Sequence, residues 1–213
     1  MNLSMFPRRP VPSCISACAV LALAGATVFA SPRLATAAAA GAQQRVNAAA
    51  STQADFLKRV DAYMQLHKKL EAMLPRLPDH ATPQQIDQNQ RALGALVAQA
   101  RADAKPGDLF TPDMQRLVRR LFADVFKGRA GRDAKRQIHD EPHPVTPEIN
   151  KRYPDSVPLA TMPLRVLAEL PKLQDELEYR FVDRHLILMD VHAHIILDYV
   201  LNAIPATVPP ARR

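Results

Sequence analysis

The sequence predicts a mainly α protein closed by a small C-terminal antiparallel β meander, an α+β chain whose helical part forms a helical hairpin or three-helix bundle. Two observations carry this prediction. Between residues 52 and 126, apolar residues recur at steps of three and four, which gathers them on one face of a helix. Between 177 and 200 they alternate at a step of two, which lines one face of a sheet. With Pro 19 against Gly 6, the breaks between elements are rigid rather than flexible.

The first forty residues differ in kind. Arg8 and Arg9 precede an apolar run, CISACAVLALAGATVFA (14–30), which is short for a bilayer span and is followed by small residues up to Ala40. This is the pattern of an export signal, with cleavage expected between Ala30 and Ala40. The mature protein is then periplasmic or secreted, and it meets the membrane only through the leader before cleavage. Cys14 and Cys18 are the only cysteines, and both leave with the leader. Disulfides, thiolate ligands and cysteine nucleophiles are thereby excluded from the mature chain. Removal of 1–40 takes Arg8, Arg9 and Arg33 and no acid, so the net charge of +7 falls to +4. A basic exported protein meets anionic envelope components rather than nucleic acid.

The helical region spans 41–126. Its first helix is predicted over 52–74, with Phe56, Val60, Tyr63, His67, Leu70 and Leu74 on one seam, Thr52 and Asp55 at the cap, and Pro75 as the stop. His67 reads as a packed residue with one hydrogen bond. A second helix starts at Thr82-Pro83-Gln84-Gln85, where threonine caps, proline fills the position needing no N–H, and Gln85 reaches back. It runs to about Ala104, before Lys105-Pro106-Gly107. The third repeats the start at Thr111-Pro112-Asp113 and runs to Phe126. The segment 127–161, rich in proline and charge, is predicted to be a surface connection. The unit 162–204 joins a short helix to three strands, Leu177–Val182, His185–Asp190 and Ile195–Val200. Residues 191–203 also carry helical spacing, but their isoleucine and valine content favours strand. Asp183-Arg184 lacks the glycine of a tight two-residue turn, so a wider turn is expected. Arg180 and Asp198 should look outward, and 205–213 form a loose tail.

Three constellations suggest chemistry. His192 and His194 are two apart, and in an extended stretch they share a face, as two imidazole ligands for zinc, copper or nickel would. Asp190 or His185 offers a third ligand. In the connection, His139 and His143 flank Asp140 and Glu141 as a second candidate cluster. A solvated surface explains exposed histidines equally well. The basic run Lys127, Arg129, Arg132, Lys135 and Arg136 is the third candidate, suited to an anionic partner such as an envelope lipid or wall polymer. No nucleophile elbow, zinc-protease motif or glycine-rich phosphate loop occurs, so no catalytic residue is assigned.

The stretches LEYRFVDRHLILMDVHAHIILDYVLNAI and TPQQIDQNQRALGALVAQARADAKPGDLFTP together resemble a family of uncharacterised secreted bacterial proteins that pair a helical region with a C-terminal hairpin. That resemblance covers about half the chain and implies no activity and no site residue. At the first turn, where such hairpins read V-G-R, this chain has Val182-Asp183-Arg184. More distantly, the tyrosine-led terminal hairpin is similar to that of periplasmic nickel and cobalt homeostasis proteins, a resemblance that implies metal binding by analogy only. The expectation is an exported, non-catalytic binding or structural component of the cell envelope, the alternative being a periplasmic protein that binds divalent metal through surface histidines.

Overall fold

The computed structural model describes residues 33–139, 145–158, 160 and 162–205, with side chains from residue 43 onward except those of 137 and 139. The chain divides into two compact units, Met1–Ala39 and Ala40–Arg213. Of the first, residues 33–39 are the opening turns of a helix; the rest of the described chain belongs to the second. The predicted leader run 14–30, both cysteines and the tail from 206 lie outside the described residues.

The elements are α1 (Arg33–Glu71), α2 (Pro83–Ala100), α3 (Pro112–Val125), α4 (Gly128–His139), α5 (Leu164–Leu167), β1 (Leu177–Val182), β2 (His185–Asp190) and β3 (Ile195–Val200). The α+β class is as predicted. α1 does not start at Thr52. The alanines before it are strong helix formers, and the Thr52 hydroxyl bonds back to the Ala48 carbonyl at 2.9 Å instead of capping. Asp55 accepts from Arg59, one turn on. Thr82 and Gln85 do form the reciprocal capping box of α2, and the Thr111 hydroxyl caps α3.

The segment after α3 corrects the sequence reading. Residues 128–139 form a helix rather than part of an irregular connection. The reason is an apolar stripe hidden among cations: Gly131, Ala134 and Ile138 are buried at helical spacing. A Cβ at Gly131 would fall 2.2 Å from the carbonyl carbon of Phe126, so only glycine lets α4 turn back this closely on the end of α3.

The sheet has the order β1-β2-β3, all antiparallel. Val182 pairs with His185 across Asp183-Arg184, so the first turn has two residues and is not the wider one expected. Asp183 adopts a φ of 51°, a left-handed conformation that aspartate tolerates without glycine. One face of the sheet, through Tyr179, Phe181, Leu186, Leu188 and Leu197, shares a single core with Phe56 and Val60 of α1, Leu93 and Val97 of α2, and Met114 and Phe122 of α3. The opposite face, through Val182, Ile187, Met189 and Ile196, packs on Tyr153. Residues 150–153 run beside the start of β3, exchanging backbone hydrogen bonds with Ile196 and His194.

A register shift between Leu188 and Met189 changes which side chains of β3 face the helices. Ile195 and Leu197 lie in the main core, and so does Val200, while Ile196 and Tyr199 pack on the other side. Asp198 therefore does not look outward as predicted. It is fully buried, and its carboxylate accepts the backbone N–H groups of Gly107, Leu109, Phe110 and Tyr199, fastening the α2–α3 loop to the sheet. Among the described residues no helix is long and apolar enough to cross a membrane.

Candidate metal centre

The periodicity that places His67 on the buried seam of α1 also places Glu71 one turn later on the same side. β2 ends in Asp190, and the turn into β3 carries His192 over the C-terminal end of α1. Two close contacts fix this approach. Gly94 of α2 lies where a Cβ would meet the Ala193 carbonyl at 3.0 Å and Ile195 Cγ2 at 3.3 Å, and the Gln90 amide donates to the Val191 carbonyl.

The Asp190 carboxylate organises the interior of the site. Its Oδ2 accepts from the Tyr63 hydroxyl at 2.5 Å and from His67 Nδ1 at 2.6 Å. Its Oδ1 accepts the Ala193 N–H at 2.8 Å. All three side chains are buried. Burial favours the neutral acid, but the hydrogen bonds from His67, Tyr63 and Ala193 outweigh it and hold the Asp190 pKa below the ordinary value. Burial and the neighbouring Asp190 charge push the Tyr63 hydroxyl far up, so it stays a donor. At His67 burial acts to lower the pKa, yet Asp190, Glu71 and Glu176 together leave it raised.

With Nδ1 committed to Asp190, the chemistry of His67 passes to Nε2. That atom is buried and has no hydrogen-bond partner among the described residues. It faces Glu71 Oε2 at 3.7 Å, while Glu71 Oε1 lies 3.3 Å from His192 Nδ1. The imidazole nitrogens of His67 and His192 and a Glu71 oxygen lie within 4.8 Å of one another. Metal–nitrogen bonds of about 2.0–2.1 Å put tetrahedral donors roughly 3.4 Å apart, so this triangle needs only small rotamer adjustments to close on an ion. A carboxylate holding Nδ1 fixes the tautomer that leaves Nε2 as a ligand and raises its basicity. Behind the triangle the site is closed by His67, and in front it is open, since the His192 and Glu71 side chains are 50% and 45% exposed.

The sequence-predicted ligands are redistributed. His192 and His194 do not share a face, because residues 191–194 form a turn and His194 has a φ of 54°. His194 turns away to the edge of the Tyr153 ring and to Asp155, 3.4 Å distant, within an ion network of Asp87, Arg91, Arg152 and Asp155. Burial and Arg152 lower its pKa. Asp190 lies outside the ligand triangle, its oxygens accepting from Tyr63, His67 and Ala193. His185 sits at the opposite end of β2, accepting the Asn202 N–H. The side chain of His139, and all of Asp140, Glu141 and His143, lie outside what is described. Among the basic residues, Lys127 and Arg136 pair with Asp124 and Asp133. Lys135 donates to the Pro205 carbonyl beside the Phe126 ring. Arg129 and Arg132 are exposed on α4.

Sequence reasoning passed over Glu71 and read His67 as core. The signal available was the i, i+4 spacing of His67 and Glu71 on a helix face that also carries the apolar seam. Comparison with protein families, with curated proteins and with solved structures gives no match.

Proposed function

We propose that the protein is an exported, non-catalytic binding component of the cell envelope that holds one divalent transition-metal ion through His67 Nε2, Glu71 and His192. The observation that supports it is the buried Nε2 of His67, which makes no hydrogen bond among the described residues and faces Glu71 Oε2 at 3.7 Å, while its opposite nitrogen is anchored by Asp190. An unsatisfied buried nitrogen costs about 1–3 kcal/mol in an ordinary interior, and an ion would relieve that cost. Two imidazoles and a carboxylate suit zinc, copper(II) or nickel, whereas magnesium and calcium prefer oxygen alone.

The test is a thermal-shift titration of the chain without residues 1–40 with zinc, copper(II) and nickel after chelator treatment. A ligand at a hundred times its Kd stabilises by about 2.7 kcal/mol, a readily measured rise in Tm. Glu71→Gln and His192→Ala, both at half-exposed positions, should fold normally and lose the rise. No rise with any of the three ions would overturn the reading.

A further inference from the structure

Glu71 belongs to two features at once. Its carboxylate closes the ligand triangle, and its side chain also lines a cleft of about 530 Å³ between the end of α1 and α2. Lys68, Leu74, Arg76 and Asn89 line the same cleft. Its volume falls within the range of small-molecule sites. Of the surface cations elsewhere, Arg91, Arg152, Lys127 and Arg136 each hold a carboxylate. Lys68 and Arg76 hold none among the described residues and are exposed at this cleft.

We propose that the open face of the metal site and this cleft together bind a phosphate group, one oxygen on the ion and the remaining charge on Lys68 and Arg76. This rests on the metal reading above. A divalent ion with one carboxylate and two neutral imidazoles keeps one positive charge, to which Lys68 and Arg76 add two. That surplus suits a dianion over a monoanion, and the planar guanidinium fork of Arg76 matches the geometry of phosphate oxygens. Three protein ligands leave the fourth coordination position to an outside ligand, as in open zinc sites. The metal thus gates the anion: without it, Glu71 repels phosphate; with it, Glu71 is neutralised.

The test uses the cobalt(II)-loaded chain without residues 1–40, because the visible absorption of cobalt reports ligand exchange at the ion. Inorganic phosphate and glycerol phosphate are titrated in parallel, tighter binding of the ester assigning a small phosphoester and equal binding assigning free phosphate. The spectrum should change on addition of either, and the paired substitution Lys68→Ala/Arg76→Ala should weaken phosphate binding roughly tenfold or more while leaving cobalt affinity unchanged. The proposal is overturned if cobalt binds but phosphate leaves its spectrum unaltered, or if the double variant takes phosphate as tightly as the parent. Failure to take up cobalt at all would instead remove the metal reading on which it rests.

Discussion

His67 Nδ1 and Asp190 Oδ2 lie 2.6 Å apart in the interior, joining residues 123 positions distant in the chain. This one hydrogen bond ties α1 to the end of β2, fixes which imidazole nitrogen faces outward, and positions the turn that carries His192.

Substitution Asp190→Asn keeps the size of the side chain but not its acceptors. The amide nitrogen must face either the Ala193 N–H or the Tyr63 and His67 donors, so a buried donor loses its partner and stability should fall by about 1–3 kcal/mol. Loss of the anchoring carboxylate should also weaken metal binding by about 10–100-fold. Chemical denaturation and metal titration read the two effects separately. Unchanged metal affinity in a folded variant would contradict the role assigned to Asp190.

His192→Ala and His194→Ala should part company. The first removes a ligand and should weaken metal binding by more than roughly a hundredfold, beyond the usual loss for an anchoring residue. The second removes a side chain that faces Asp155 and should leave metal affinity as it was. Equal losses in calorimetric titration would restore the adjacent pair suggested by sequence.

The contribution of the Asp190–His67 pair to the stability of the metal-free chain should be greatest in mildly acidic solution. Asp190, with its pKa lowered, contributes stability above its ordinary value of 3.8 that is lost as pH falls through the lower folded value. His67, with its pKa raised, contributes stability below its ordinary value of 6.5 that is lost as pH rises through the higher folded value. Metal binding runs the other way, since the ion displaces the Nε2 proton, and it should tighten above pH 6.5. Denaturation midpoints with chelator and with metal across this range check both slopes. His185 and His194, whose pKa values burial lowers, act in the opposite sense, so the check is the difference between the parent and His67→Gln: a metal-free difference that grows as pH passes 6.5 would contradict the assignment.

Gly94→Ala tests the approach of α2 to the turn. Its new Cβ meets backbone at 3.0 Å and a methyl group at 3.3 Å, so either the turn or the helix must move. A cost of about 1–3 kcal/mol is expected from the crowding, together with weaker metal binding, because Ala193 adjoins His192. Loss of stability without any change in metal affinity would show that the turn does not set the position of His192.

The parts of the fold legible in the sequence are those written in local chemistry. Thr82 and Thr111 announce helix starts, and the alternation over 177–200 delivers all three strands at their observed bounds. Asp198 was misplaced because a register shift changes the parity of β3, and no residue type marks that shift. α4 was missed because its buried stripe is made of Gly131, Ala134 and Ile138, small or isolated apolar residues masked by cations. The site was half legible. His192 and Asp190 stand out in a short stretch, but their partners His67 and Glu71 lie more than a hundred residues earlier. A histidine on an apolar seam looks like core until the fold shows which nitrogen is left over.

The most direct test of the metal centre is X-ray absorption spectroscopy of the zinc-loaded chain at equimolar metal. Two imidazoles and one carboxylate are expected around the ion, with one imidazole lost in His192→Ala and the carboxylate lost in Glu71→Gln. A coordination shell without imidazole, or one unaltered in both variants, would contradict the assignment of His67, Glu71 and His192 as its ligands.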